Sequence, residues 1–450
     1  MQKSLIAVLL SSALMTLALP GAQAADLIQV YQQALANDAT YASARSSLDA
    51  GRERTTQGRA GLLPSVSAQG SNTRNNGDFR PFNEGQLITD GSGIGFVTRR
   101  DTYNHVNSYS VTLSQPLFNW AAWQTYQQSK LVQAISEATF AQARQDLITR
   151  VAQAYFDVLT AQDNLTATQA QKTATTEQLA SAKRNFEVGT QTITDTHEAQ
   201  AAYDLVVAQE FAAITDLDNK RTALQVITGK PTGELAPLRA GVTISAPEPA
   251  AIDPWVASAE GQNFSVIASQ LQLEISRRDI SRNRAGHMPT LNLAASTSHQ
   301  STTASGTQKN NAIGVTWSVP IFSGFAVTSQ VREAIALEDK ARNDLEATKR
   351  LAAQNARVAF LGMNSGLAQV KALEAAEVSS KSSLDSNKLG YQVGVRINID
   401  VLNAQRQLYA TQKDLSKARY DTVMNGLRLR SAAGTLREED LAPINALLQR

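Results

Sequence analysis

Phe186-Glu-Val-Gly-Thr-Gln-Thr-Ile-Thr-Asp195 and Tyr391-Gln-Val-Gly-Val-Arg-Ile-Asn-Ile-Asp400 are two versions of one motif, 205 residues apart in a chain of 450. Each has an aromatic residue, a Val-Gly pair and a closing aspartate at the same spacing. Two further motifs recur in the same order. Ser114-Gln-Pro-Leu-Phe118 returns as Ser318-Val-Pro-Ile-Phe322, and Arg59-Ala-Gly-Leu-Leu-Pro64 returns as Arg284-Ala-Gly-His-Met-Pro289. Repeats at fixed spacing mean that a structural unit has been copied. The sequence therefore divides into a first repeat, 25–229, and a second, 255–436. A proline-rich connector, 230–254, joins them, and a short C-terminal segment, 437–450, follows. The Arg59 and Arg284 motifs are 225 residues apart, whereas the Ser114 and Ser318 motifs are 204 apart. The first copy therefore has a surplus between these motifs, expected in a loop.

The Val-Gly motifs interrupt two very long helical stretches. No proline occurs from Leu117 to Lys230 or from Ile321 to Ala442, and both stretches are rich in Ala, Leu, Gln, Arg and Glu. These are strong helix formers. Phe140, Leu147, Ala154 and Ala161 repeat every seven residues, as do Leu345, Ala352, Ala359, Gly366 and Leu373. A sustained period of seven winds helices left-handedly around neighbours, and small residues on the seam allow close approach. A helix from Asn119 to Glu187 spans roughly 100 Å at ~1.5 Å per residue. Gly189 and Gly394 end the first helix of each copy, and a second helix returns.

The other segments alternate with period two, the signature of strands with one apolar face. Val66, Ala68 and Gly70 alternate with Ser67, Gln69 and Ser71, and Val111 and Leu113 with Ser110, Thr112 and Ser114. Leu291 and Leu293 flank Asn292, and Ile313, Val315, Trp317 and Val319 alternate with small or polar residues. Val106 to Gln115 has the ~9–11 residues that a tilted strand needs to cross a bilayer. Polar stretches 72–105 and 299–311 are expected as external loops.

Composition narrows the function. Residues 1–24 read as a secretory signal: Lys3, an apolar run from Leu5 to Leu19, a Pro20-Gly21 break and Ala22-Gln23-Ala24 for cleavage. No later apolar run is long enough for a membrane helix. The chain has no cysteine, which excludes disulfides, thiolate metal sites and a lipidated cysteine. Formal net charge is +2 without a basic block, so nucleic acid is not an expected partner. His105, His197, His287 and His299 are scattered and set no metal-ligand spacing. No nucleophile motif or phosphate loop appears, so neither an enzyme nor a cofactor is expected.

Two strands per copy make four per chain, too few to close a membrane barrel. An open edge in lipid leaves backbone groups unpaired at several kcal/mol each. Closure needs several chains, and three give twelve strands with room for a pore. The long helices must then project into the periplasm. The rival reading, a periplasmic coiled-coil structural or adaptor protein, explains the helices and the signal but not the alternating strands.

Specific motifs carry a resemblance across nearly the whole mature chain. They are Val30-Tyr-Gln-Gln-Ala34, Leu63-Pro64, Ala154-Tyr-Phe-Asp-Val-Leu159, the Phe186–Asp195 motif, Gly390-Tyr-x-Val-Gly-x-Arg396 and Ala432-Ala-Gly-Thr-Leu436. With them the sequence resembles the TolC family of outer-membrane channels of drug efflux and type I secretion. The resemblance implies an α+β membrane protein: a trimeric twelve-stranded β-barrel, four strands per chain, continuing into a long α-helical coiled-coil barrel. It implies a homotrimer in outer-membrane lipid, with a periplasmic adaptor (membrane fusion) protein and an inner-membrane transporter as partners. It also implies an entrance gate in which Thr194 and Asp195 bond to Tyr391 and Arg396, within the chain and across chains. Asp400 matches a carboxylate ring at the narrowest point. The second acidic position of that ring is Asn403, so weaker cation selectivity is expected. Gln178 matches a gate residue whose acidic partner position is here Lys388, which leaves that link in doubt.

Overall fold

The computed structural model describes residues 24–79, 84–90, 93–96, 100–239, 241–303 and 306–449. Apart from Ala24, the expected signal segment lies outside the described residues. The elements run α1 (Leu27–Asn37), α2 (Ala39–Ala60), β1 (Ser65–Phe79), β2 (Leu87–Asp90), β3 (Gly93–Phe96), β4 (Arg100–Phe118), α3 (Trp120–Glu187) and α4 (Ile193–Thr228). Then come α5 (Asp253–Gln262), α6 (Phe264–Arg284), β5 (Thr290–Thr302), β6 (Gly306–Ser318), α7 (Ala326–Gln392), α8 (Asn398–Ala432) and the short α9 (Leu441–Asn445). The order helix, two long strands, long helix, returning helix occurs twice. None of the described helices is long and apolar enough to cross a membrane.

Two compact units form. One takes Ala143–Asn263 and Ala352–Arg450 with the N-terminal segment up to Ser43; the other takes Ala44–Gln142 and Phe264–Leu351. Each unit therefore draws on both halves of the sequence. The tertiary grouping cuts across the copied order, because the equivalent parts of the two copies pack on each other.

The second unit contains a four-stranded antiparallel sheet in the order β1-β4-β5-β6. Its register sorts the side chains. Val66, Leu113, Ala295 and Ile313 stand opposite one another in one row, and Leu293 stands opposite Val315 in the next. Ser67, Thr112, Ser296 and Ala312 form a row on the opposite face, as do Gln69, Ser110, Ser298 and Asn310. Directly opposed residues share a face, so one side carries the large apolar residues, interrupted by Gln115, Thr297 and Asn311, and the other is polar or small and uncharged. The apolar side is uncovered in the chain: Ile313 is 79% exposed and Trp317 74%.

The polar stretches expected as loops are largely strand. β1 runs to Phe79 and β4 starts at Arg100, while β5 and β6 pair up to Thr302 and Gly306. Ladder bonds join backbone groups, so a hairpin can extend beyond its apolar band whatever its side chains. Part of the first-copy surplus forms the small β2-β3 hairpin.

Helices of this unit approach closely through small residues. A Cβ added to Gly51 of α2 would lie 2.3 Å from the Ser136 hydroxyl of α3, and one on Gly58 would lie 2.2 Å from that of Ser129. Both pairs are seven residues apart, which keeps the seam on one helix face.

In the other unit, Leu27, Val30 and Tyr31 of α1 pack among Leu147, Val151, Tyr155 and Phe156 of α3, Leu217 and Leu224 of α4, and Tyr420 and Met424 of α8. The Tyr155 hydroxyl donates to the Ala236 carbonyl at 2.7 Å, and Phe156 stacks on Tyr420 with ring centres 5.5 Å apart. The described part of the connector joins the sheetless core by single bridges, Ala25 to Leu235 and Leu238 to Leu448. Asp38, nearly buried, receives both terminal nitrogens of Arg150 and the Tyr41 amide. Glu438 accepts from the Tyr31 hydroxyl at 2.8 Å and pairs with Arg144 at 2.9 Å. Burial pushes the Glu438 carboxyl up, but the bonds from Tyr31 and Arg144 outweigh it and hold it below the usual glutamate range. Desolvation, with Glu438 beside it, pushes the Tyr31 phenol up.

The Ala432–Leu436 motif is a backbone junction. Ala432 and Ala433 carbonyls accept from Asn263 and Ser258 at 3.0 Å each. Gly434 has φ +74°, and a Cβ there would sit 2.3 Å from the Gln262 carbonyl oxygen. Left-handed backbone costs a side chain ~1–2 kcal/mol before that clash is counted. We expect Gly434→Ala to lower the thermal midpoint of the purified protein by several degrees, followed by circular dichroism. Gly261→Ala, in open space on α5, should leave it unchanged. Glu438→Gln should destabilise at pH 7. A depressed carboxyl contributes stability above its unfolded-state pKa and loses it as pH falls through the folded one. The deficit should therefore vanish on acidification below the ordinary glutamate range.

Candidate functional site

The two Val-Gly motifs form the turns α3–α4 and α7–α8, and both helices end in the same way. In the first turn, Gly189 takes φ +76° and the Thr190 amide bonds back to the Asn185 carbonyl at 2.9 Å. In the second, Gly394 takes φ +77° and the Val395 amide bonds to Gly390 at 2.9 Å. A left-handed residue after the last turn lets following amides reach back to orphan carbonyls, and glycine adopts it without penalty.

The turns differ in how the next helix begins. Thr192 caps α4 and Asp195 closes a capping box: the Asp195 carboxylate accepts from the Thr192 hydroxyl at 2.8 Å and its amide at 3.1 Å. The equivalent of Thr192 is Ile397, which has no side chain to cap with. The Asp400 carboxylate, equivalent to that of Asp195, is left to face Arg396 at 3.8 Å. One substitution thus turns the same aspartate from a structural cap into an available charge.

Among the described residues, three hydrogen bonds join the two hairpins at the turns. The Gln191 amide donates to the Tyr391 hydroxyl at 2.5 Å. Asn398, fully buried, accepts from the Gln178 amide at 2.6 Å and donates to the Asp195 backbone carbonyl at 3.1 Å. Within the chain, the position expected of Asp195 opposite Tyr391 is therefore filled by Gln191, and Tyr391 accepts rather than donates. The Asp195 carboxylate turns inward to its cap, because a threonine three residues earlier offers two donors nearer than the other turn. Thr194 is exposed at the start of α4. Gln178 finds Asn398 as its partner. Asn403 is exposed on α8 and accepts from Arg406.

Arg396 is positioned by a glycine. A Cβ on Gly390 would lie 2.7 Å from the Arg396 Cγ, so the arginine stem lies flat across the end of α7. Beneath the turns, Leu179 and Ala182 of α3 pack with Ala199 of α4 and Leu402 of α8. Above this cluster the exposed tips carry Val188, Val393 and Val395. The Gln191 carbonyl oxygen and the Thr196 hydroxyl are buried without a hydrogen-bond partner among the described residues.

The family resemblance singled out Thr194, Asp195, Tyr391 and Arg396 but not Gln191 or Asn398. Their signal was available in the alignment of the copies: Gln191 stands where the second copy has Arg396, and Asn398 where the first has Ile193. Positions whose chemistry differs between copies, amide against guanidinium or apolar against polar, mark places where the copies meet different neighbours.

The model of the family described as outer membrane efflux protein matches residues 30–230 and 255–435. The outer membrane protein TolC of Vibrio cholerae is 34% identical over 454 residues, covering 99% of each chain. The proteases secretion protein PrtF of Dickeya chrysanthemi is 31% identical over 436 residues, 95% of this chain and 92% of PrtF. The crystal structure of the outer membrane protein VceC of Vibrio cholerae superposes with a TM-score of 0.75 at 18% identity, covering 91% of this chain and 96% of VceC. With four antiparallel strands, two long helical hairpins and this match along nearly its whole length, the chain belongs to the outer membrane efflux protein family.

Proposed function

We propose that three copies of this chain form an outer-membrane channel that passes drugs or proteins outward from the periplasm or an inner-membrane transporter. The sheet carries the reading. It has an uncovered apolar face for lipid, a small polar face for a wet lumen, and unpaired edges at β1 and β6. With four strands alternating in direction, β6 of one chain runs antiparallel to β1 of the next, so copies join without changing the pattern. Twelve strands leave an aqueous bore, whereas eight fill with side chains. Repeats 25–229 and 255–436, linked by 230–254, then supply equivalent walls. An adaptor or structural coiled coil has no use for an exposed apolar sheet face. The relative named for protease secretion supports protein export, and the family description supports efflux.

The turns serve as the entrance gate in this reading. Gln191 and Tyr391 hold the two hairpins of one chain together. In this reading Arg396 and Thr194, both exposed, meet neighbouring copies together with Asp195. Threefold symmetry makes Asp400 a ring of three carboxylates, a cation-favouring constriction, and Asn403 adds none. Opening requires a partner that binds the open arrangement better; a periplasmic adaptor with its inner-membrane transporter fits that role.

The full chain should require detergent for extraction and cross-link as a trimer; a monomer free in the periplasmic fraction would end the channel reading. In planar bilayers, Arg396→Ser should raise single-channel conductance. Asp195→Asn keeps a cap acceptor and so tests the gate without the ~1 kcal/mol cost of losing the cap. Asp400→Asn should lower cation-over-anion selectivity, measured as reversal potential in a salt gradient. Unchanged selectivity would remove Asp400 from the constriction.

A further inference from the structure

The two hairpins of one chain meet where α8 packs against α3 and α4, and the α3–α8 side of that contact changes in composition along its length. Towards Asp163 it is apolar and locked. Phe156 stacks on Tyr420, whose hydroxyl donates to Asp163 at 2.9 Å, with Val158, Leu159 and Val423 buried alongside. Towards the turns it becomes polar. Thr168, Gln171 and Thr175 of α3 and Gln405 and Thr411 of α8 are all buried. The hydroxyls of Thr168, Thr175 and Thr411 donate to their own helices, at Asn164, Gln171 and Gln407, and hold nothing across the seam. The Gln405 carbonyl oxygen is buried without a partner among the described residues, beside a cavity of about 40 Å³. That volume admits water, and the lining is mixed: Gln171, Thr175 and Gln405 face it together with Ala202, Val206 and Leu402.

Near the turns the apolar contact across the seam is limited to the small cluster of Leu179, Ala182, Ala199 and Leu402, so the hydrophobic effect holds this end less firmly than the core around Phe156 and Tyr420. The rest of its hold comes from directed bonds. Tyr409 reaches the Ala170 carbonyl at 3.2 Å from an exposed position. Asn398 alone makes two bonds from a fully buried side chain, to Gln178 on α3 and to the Asp195 carbonyl on α4. One amide thus ties α8 to both helices of the first hairpin. The fit requires an amide, because it must accept from one partner and donate to the other. Aspartate cannot donate when ionised, and leucine can do neither. The equivalent residue of the first turn, Ile193, is half exposed and carries no such bond.

We propose that Asn398 is the positioning residue that latches the polar half of the α3–α8 seam, holding the two hairpins of each chain closed through Gln178 and the Asp195 carbonyl. This rests on the reading of the turns as the channel entrance. Loss of both bonds should shift the closed-to-open ratio by roughly 10- to 30-fold.

The test uses the full chain, assembled and purified in detergent, then recorded in planar bilayers. Asn398→Leu and Asn398→Asp should both raise conductance, and Gln178→Leu should add little once Asn398 is replaced. Arg396→Ser is recorded in parallel. If Arg396→Ser opens the channel and the Asn398 variants do not, the entrance stands and the latch is wrong. If none of them changes conductance, the entrance reading fails and takes the latch with it. Because the chain has no cysteine, Gln178→Cys combined with Asn398→Cys separates a latch from simple loss of fold. A short, reducible bifunctional thiosulfonate should join the pair within one subunit and hold conductance low. Reductant should then raise it reversibly. Failure to cross-link in assembled protein, or a linked channel that conducts like the reduced one, overturns the proposal.

Discussion

Backbone amides and carbonyls that meet hydrocarbon must be hydrogen-bonded, and that requirement shapes this chain. β1, β4, β5 and β6 satisfy one another internally but leave two outer edges. An even number of alternating strands lets the β6 edge of one copy meet the β1 edge of the next antiparallel, so the same sheet serves as a closed wall when copies join. The register does the rest. Period-two alternation, held across four strands, puts Val66, Leu113, Ala295 and Ile313 on one side and Ser67, Thr112 and Ser296 on the other. A slip of one residue in any strand would send its serines into lipid.

The helices obey a different constraint. Parts of their seams are filled by glycine, serine and threonine, as where Gly51 and Gly58 meet Ser136 and Ser129, or Gly366 meets Thr422, between clusters of larger apolar side chains such as Leu384 with Leu408. Close approach gives dense packing with little apolar area. The largest apolar core lies around Leu147, Tyr155, Phe156 and Tyr420, to which α1 and the C-terminal segment also contribute. Near the turns the apolar clusters are smaller, Leu179 with Leu402 and Leu384 with Val401 and Leu408, and individual polar bonds share the work with them.

Duplication supplies the scaffold, and small departures from it supply the difference between the turns. Thr192 and Ile397 occupy equivalent positions, yet only threonine can cap. That alone decides that Asp195 is consumed locally and Asp400 is left to face Arg396. Gln191 against Arg396, and Ile193 against Asn398, are two further departures, and Gln191 and Asn398 each place a polar group where the copies touch. A tube made of identical halves would have equivalent contacts all round. On the proposed reading, unequal turns give it a specific seam at which to open.

Much of the fold is written in the order of residues. Proline-free, alanine- and glutamine-rich stretches bounded by Gly189 and Gly394 determine two long helical hairpins, because local propensity and a left-handed glycine act over a few residues. Alternation around Val111 and Ile313 determines the strands and their faces, and the charge and cysteine content determine which chemistries are excluded. The extent of the strands was not legible, since ladder bonds carry β1 and β4 through polar sequence that reads as loop. Nor was the wiring of the turns. Asp195 was recognisable as a conspicuous acid, but whether its carboxylate reached Tyr391 or Thr192 depended on which donor folding brought nearer. Asn398 reads as an ordinary polar residue between two isoleucines. Only the packing of α8 against α3 and α4 buries it, and burial is what makes both of its hydrogen bonds necessary.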